Sequence, residues 1–265
     1  MTVNPADPTQ TPEAAYAKVN GLEMYYEVHG SAPGPQRPLV LLHGGVQTVD
    51  LAFGAILPSL ARTRRVVAPE LQGHGHTADI DRDITVANLA SDVVALLDEL
   101  GIPQADFLGF SLGGLTALEV AARHPERVGR LVLASTQFTQ DGYHDEVRTP
   151  DFTSPRLPSQ ADFQQMADAY TRTAPHPEHF QDFLTRTTAA AHAPLPWTPE
   201  DLRALAAPTL LVIGDTDFVR VEHAAEMHRL IPDARLAVLP ATTHIALMRR
   251  TPFLLPILEE FLGIQ

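Results

Sequence analysis

Ala105-Asp106-Phe107-Leu108-Gly109-Phe110-Ser111-Leu112-Gly113 passes from an apolar run through a serine between two glycines into a helix-forming run. Ala105 to Leu108 reads as a short, mostly apolar strand. Leu112 to His124 reads as a helix, with Leu115, Ala117, Leu118, Ala121 and Ala122 as helix formers and no proline before Pro125. A serine at so tight a strand-to-helix turn is held in a strained backbone conformation with its Oγ pushed out of the fold. Gly109 and Gly113 leave room for the chain to cross itself. The helix that starts there supplies free N–H groups and a positive dipole end, where an oxyanion can develop. Ser111 is therefore the candidate nucleophile.

Outward from this turn the chain alternates between strand and helix patterns. Tyr16 to Val19 and Leu22 to Val28 form an expected hairpin across Asn20-Gly21. Leu39 to Leu42 and Arg65 to Ala68 are apolar runs of the kind buried on both faces of a sheet. Helical spacing runs from about Leu51 to Leu60 and again from Val86 to Leu100, stopped by Gly101 and Pro103. Val128 to Ala134 is a further strand. The fold class is α/β, a mainly parallel central β-sheet flanked by helices.

From residue 138 to 205 the rhythm breaks. Helices are expected around Gln160–Arg172 and Pro177–Ala190, without a clear strand. The alternation then resumes with strand Thr209–Ile213, helix Glu222–Leu230, strand Arg235–Leu239 and helix Pro252–Leu262. The expected organisation is a lead-in at 1–13, polar and proline-bearing and expected to be disordered. A core follows at 14–137 and 206–265, with a small, mostly helical cap inserted at 138–205.

Bulk properties exclude several function classes. A net charge of −13 argues against nucleic acid or an anionic membrane as partner. With 0 cysteines, disulfides and thiolate catalysis are impossible. No run approaches the roughly 18 apolar residues needed to span a bilayer, and nothing resembles a secretory signal, so a cytoplasmic location is the expectation. His74, His76, His176 and His179 have no acidic partners at ligand spacing, so no metal and no cofactor are expected.

Four motifs in order make the chain resemble the α/β-hydrolase superfamily from about Tyr16 onward. They are His43-Gly44-Gly45, the loop Glu70-Leu71-Gln72-Gly73-His74-Gly75-His76-Thr77, the turn at Ser111, and the late pair Gly214-Asp215-Thr216-Asp217 and Thr243-His244. The resemblance implies a catalytic triad in the chain order nucleophile, acid, base. His244, after the last strand, is the expected general base. Asp215 and Asp217 compete as the acid, and the family position, three residues after the glycine that ends the strand, points to Asp217. The implied oxyanion hole is the backbone N–H of Leu112 with that of Gly45, or of Val46 as the less favoured substitute. The sequence departs from the family at Glu70, where Asp is commoner, and at Ala241-Thr242-Thr243, where a glycine is frequent.

Serine in place of aspartate at the turn excludes the alkyl-ester chemistry of haloalkane dehalogenases and epoxide hydrolases. Acyl transfer remains, and a small-molecule ester or lactone is the expected substrate. The alternatives on the same triad are C–C bond hydrolysis beside a ketone and cofactor-free perhydrolysis. A non-catalytic binding protein on this scaffold is the reading from another class. Substrate-pocket candidates are Val46, Phe110, Phe138, Phe163, Met166, Tyr170 and Trp197.

Overall fold

A computed structural model describes residues 12–30 and 36–264. The expected lead-in lies outside the described residues except for Pro12 and Glu13, and Glu13 already belongs to the first strand. Strands β1 (Glu13–Val19) and β2 (Leu22–His29) pair antiparallel across Asn20 and Gly21, which have φ of 49° and 84°. Two consecutive positive φ values make the turn whose twist matches the flanking strands.

The chain continues through β3 (Leu39–Leu42), α1 (Val49–Phe53), α2 (Leu57–Leu60), β4 (Val66–Pro69) and α3 (Val86–Glu99). The single helix expected over 51–60 is two short ones. Pro58, second residue of the latter, has no N–H to donate to Gly54, so the turn between them cannot close as α-helix. Next come β5 (Ala105–Phe110), α4 (Leu112–Arg123) and β6 (Val128–Ala134). Helices α5 (Asp145–Arg148), α6 (Gln160–Thr173), α7 (Phe180–His192) and α8 (Pro199–Arg203) follow without a sheet strand among the described residues. The chain closes with β7 (Thr209–Thr216), α9 (Val221–Leu230), β8 (Ala234–Thr243) and α10 (Thr251–Leu262).

The eight strands form one sheet in the order β1-β2-β4-β3-β5-β6-β7-β8. The pairs β1–β2 and β2–β4 are antiparallel, and the rest are parallel. Period-two alternation explains the apolar runs. Val40, Leu42 and Phe107 pack with Leu89, Val93 and Leu118 of α3 and α4 on one face. Leu39, Leu41 and Leu108 pack with Phe53, Leu60 and Leu258 of α1, α2 and α10 on the other. Strand order reverses between β3 and β5, so the loops after these two strands diverge to opposite sides of the sheet and leave a crevice at its carboxyl edge. Such a switch point is where open α/β sheets hold ligands.

Candidate active site

Ser111 stands at that crevice with φ 53° and ψ −116°. Its N–H donates to Ala134 O at 2.9 Å, and its carbonyl accepts from Leu115 N at 2.9 Å. The backbone is therefore fastened on both sides, to β6 and to α4. A non-glycine residue at positive φ costs about 1–3 kcal/mol, and the surrounding contacts hold it there. The glycines explain how: a Cβ on Gly109 would lie 2.3 Å from Gly113 O, and one on Gly113 would lie 2.0 Å from Leu42 O. No other residue lets α4 approach β5 and β3 so closely.

The hydroxyl does not cap α4. It lies 3.0 Å from His244 Nε2, and His244 Nδ1 lies 2.7 Å from Asp217 Oδ1. The register of β7 and β8 brings Asp217 and His244 together. Gly214 pairs with Leu239 but Thr216 pairs with Thr243, so β8 takes four residues where β7 takes two. Beyond that irregularity Asp217 and His244 are the next residues on adjacent strands. Asp215 fixes the bulge from outside: its carboxylate accepts from Ala241 N at 2.9 Å and Thr242 N at 3.1 Å, and Ala241 has φ 47°. The two aspartates thus separate cleanly, Asp217 on the imidazole and Asp215 on the loop that carries it.

Asp217 is fully buried. Its Oδ2 accepts from Ser135 Oγ and from Gly214 N at 3.1 Å, and its Oδ1 accepts from Phe218 N at 2.7 Å. Burial works against its charge, but His244 and these donors outweigh it and hold the carboxyl below the usual carboxylate range. The His244 ring lies flat on Phe218, with centroids 3.8 Å apart and planes at 4°, and Phe110 approaches at 5.0 Å.

The loop after β3 is set by His43, which is buried beneath it. Its Nδ1 lies 2.8 Å from Gly44 O, and its Nε2 accepts from Leu71 N at 3.1 Å. That pattern requires a neutral ring protonated at Nδ1. Burial, with His74 alongside, pushes its pKa down to about 3. Because the peptide is planar and trans, holding Gly44 O also fixes the direction of Gly45 N–H. Gly45 and Leu112 are neighbours, since a Cβ on Gly45 would lie 3.9 Å from Leu112 Cδ2. Val46 follows at φ 58°.

Ser111 and His244 open onto a cavity of about 390 Å³. Val46, Phe110, Leu112, Phe163 and Met166 line it. The other three pocket candidates do not. Phe138 turns under α9, where its ring stacks on His223 at 4.8 Å and its N–H donates to His223 Nε2 at 3.3 Å. Tyr170 lies past Met166 on α6, stacks on Phe183 at 4.9 Å, and faces a separate crevice beside Asp79 and Arg186. Trp197 is buried against α4, its Nε1 donating to Glu119 Oε2 at 2.8 Å.

Sequence reasoning missed Ser135, Phe218 and the inner face of α7. Leu184, Thr187, Thr188 and Ala191 line the cavity at helical spacing. That period is present in the sequence, at 184, 187, 188 and 191 of α7. Phe218 had a signal in its position beside Asp217.

The family profile described as alpha/beta hydrolase fold matches residues 37–198. Among curated proteins, 2-hydroxymuconate semialdehyde hydrolase of Pseudomonas sp. (strain CF600) is 43% identical over 114 residues, 40% of this chain and only 38% of that protein. The protein of the same name from Pseudomonas putida is 29% identical over 247 residues, 85% of this chain and 87% of that one. Among solved structures, the enol-lactonase from Burkholderia xenovorans LB400 overlays with a TM-score of 0.72 at 25% identity, across 94% of this chain and 99% of that chain. With the switch-point crevice, the strained serine turn and the profile match in hand, the chain belongs to the α/β-hydrolase fold family.

Proposed function

We propose that the protein hydrolyses small, neutral carboxylic esters or lactones through an acyl-enzyme on Ser111. The observation that carries this is the line from Ser111 Oγ through His244, at 3.0 Å, to Asp217, at 2.7 Å, at the wall of a largely apolar cavity. As Oγ attacks the carbonyl carbon, its proton passes to His244 Nε2, and Asp217 holds the ring with Nδ1–H directed at itself. The N–H groups of Gly45 and Leu112 receive the developing oxyanion, each worth about 3–4 kcal/mol of barrier. The imidazolium then gives its proton to the leaving alkoxide. Water attacks the acyl-enzyme, loses its proton to His244, and Ser111 recovers that proton as the acid departs. Residues 138–205 act as a cap in this reading, with α6 and α7 walling the acyl site.

Ester or lactone cleavage is favoured over C–C cleavage by the charge of the cavity. Among the described residues its lining includes no Lys or Arg. 2-Hydroxymuconate semialdehyde, named for the two curated relatives, carries a carboxylate, for which the lining offers only the imidazoles of His192 and His244 and no permanently charged cation. Those names make C–C hydrolysis the second reading.

Steady-state assays of 4-nitrophenyl butyrate, γ-butyrolactone and a vinylogous diketo acid separate the two. The expected result is turnover of ester or lactone by the wild type and a fall of at least ~10³-fold in Ser111→Ala. Activity retained by that variant, or cleavage of the diketo acid alone, would reject the proposal.

A further inference from the structure

Arg156 lies in the loop between α5 and α6, 61 positions before Asp217, and reaches the peptide that follows that residue. Its Nη1 donates to Asp217 O at 3.0 Å, and its Nε donates to Glu146 Oε1 at 3.0 Å. The planar guanidinium therefore joins this loop to the carboxyl end of β7, and its rigid fork ties the direction of one bond to the other. Main-chain bonds hold the chain further on: His144 N donates to Phe218 O at 3.0 Å, and Arg220 N donates to Gly142 O at 2.8 Å. The Asp217 carbonyl depends on Arg156, since no other donor among the described residues reaches it.

That carbonyl and the Phe218 N–H belong to one peptide. The N–H donates to Asp217 Oδ1 at 2.7 Å, the same oxygen that lies 2.7 Å from His244 Nδ1. In a planar trans peptide the C=O and N–H point in opposite directions, so a donor fixed on one end sets the aim of the other. A positive group on the oxygen also polarises the peptide and strengthens its N–H as a donor. The Cα that follows carries the Phe218 ring, which lies on the His244 imidazole with planes at 4°. One side chain from outside the sheet thus governs both a donor to the carboxylate and the ring that backs the imidazole. Its loop also meets the cavity: Phe152, Leu157 and Pro158 line it, and Leu157 packs against the same apolar cluster as Phe218.

We propose that Arg156 is a positioning residue for the acyl transfer, holding the Asp217–Phe218 peptide so that Oδ1 stays aimed at His244 and the wall formed by its loop is coupled to the triad. Arg156 is not among the described residues that line the cavity, so it acts through Asp217 and Phe218 and not on substrate. Its effect falls on the step in which the imidazolium forms, because that is when the carboxylate is called on to support a charged ring. Loss of the bond therefore lowers kcat and leaves substrate binding in place. The inference rests on the proposed acyl transfer at Ser111 and adds to it a residue from the segment proposed as cap.

The test compares wild type, Arg156→Met, Arg156→Gln and Glu146→Gln by steady-state hydrolysis of 4-nitrophenyl butyrate and by the rate at which a fluorophosphonate labels Ser111. Arg156→Met keeps most of the apolar stem and removes every donor. Its kcat and labelling rate are expected to fall about 10-fold, with KM within about 2-fold of wild type. The same split is expected in Arg156→Gln, a polar side chain too short to span the gap, so the test stands if Arg156→Met does not fold. Glu146→Gln still accepts from Arg156 Nε and leaves the Asp217 bond in place, and it is expected to keep kcat within about 2-fold. Wild-type kcat and labelling in the Arg156 variants overturn the inference. A rise in KM alone, or an equal loss in Glu146→Gln, also overturns it, because either places the effect in the loop and not in the peptide. In all these cases the acyl transfer itself survives. If wild type neither cleaves the ester nor labels at Ser111, both fall.

Discussion

Asp217 shows how much of this site is held by single side chains outside the three proposed to do the chemistry. Its Oδ2 is saturated by Ser135 Oγ and Gly214 N, which leaves Oδ1 for the imidazole. Removing the Ser135 hydroxyl takes a donor from a buried carboxylate, an interaction worth about 1.5–3 kcal/mol. Ser135→Ala is expected to lower kcat about 10-fold while KM changes little, because the carboxylate supports the imidazolium of the transition state and does not touch the ground-state substrate. Steady-state kinetics check this, and an unchanged kcat would contradict it. Ser111, His244 and the preference for Asp217 over Asp215 were legible in the sequence because each lies at a strand end within a spaced motif. Ser135 was not: it follows β6 directly, and its value comes from φ 51° and a partner 82 positions away.

At the scale of elements, the irregular pairing of β7 with β8 decides whether acid and base meet. Asp215 is exposed, yet its two bonds to Ala241 N and Thr242 N hold the extra residues of β8 in place. Those N–H groups also hold its carboxyl below the usual carboxylate range. Asp215→Ala is expected to reduce kcat several-fold, with Asp215→Asn, which keeps one acceptor oxygen, recovering part of the loss. Equal activity in all three proteins would show that the bulge needs no external clamp. The sequence indicated β8 only to Leu239, because Pro240 reads as a strand terminator. The actual strand continues to Thr243 through the bulge that accommodates that proline. Helices α3 and α6 were legible almost to the residue, since both have a clear 3.6-residue period and an N-cap side chain, Thr85 and Ser159.

Across the whole molecule, three buried histidines tie stability to pH. Burial pushes His43 down to about 3 and His74 and His223 to about 4, and each accepts or makes bonds that suit the neutral ring. In the unfolded chain these rings take up protons below about pH 6.5. Between that pH and about 4 the unfolded state therefore binds more protons than the folded one, and stability falls as pH falls. The slope is up to ~1.4 kcal/mol per pH unit for each ring. Urea unfolding midpoints are expected to be steady above pH 7 and to drop between pH 6.5 and 4.5, with a shallower drop in His223→Gln. A flat profile through that range would contradict the neutral assignments. The middle of the sheet was legible because strands such as β3 and β4 are apolar on both faces, whereas the placement of Phe138, Tyr170 and Trp197 depended on packing partners that no local pattern encodes.

The proposed chemistry depends on Ser111, activated by His244, acting as the nucleophile. Intact-mass and peptide-mapping mass spectrometry after treatment with a fluorophosphonate tests it most directly. One adduct per chain is expected, located on Ser111, absent from Ser111→Ala and strongly slowed in His244→Ala. An adduct mapped to another residue, or an unlabelled wild-type chain, would contradict it.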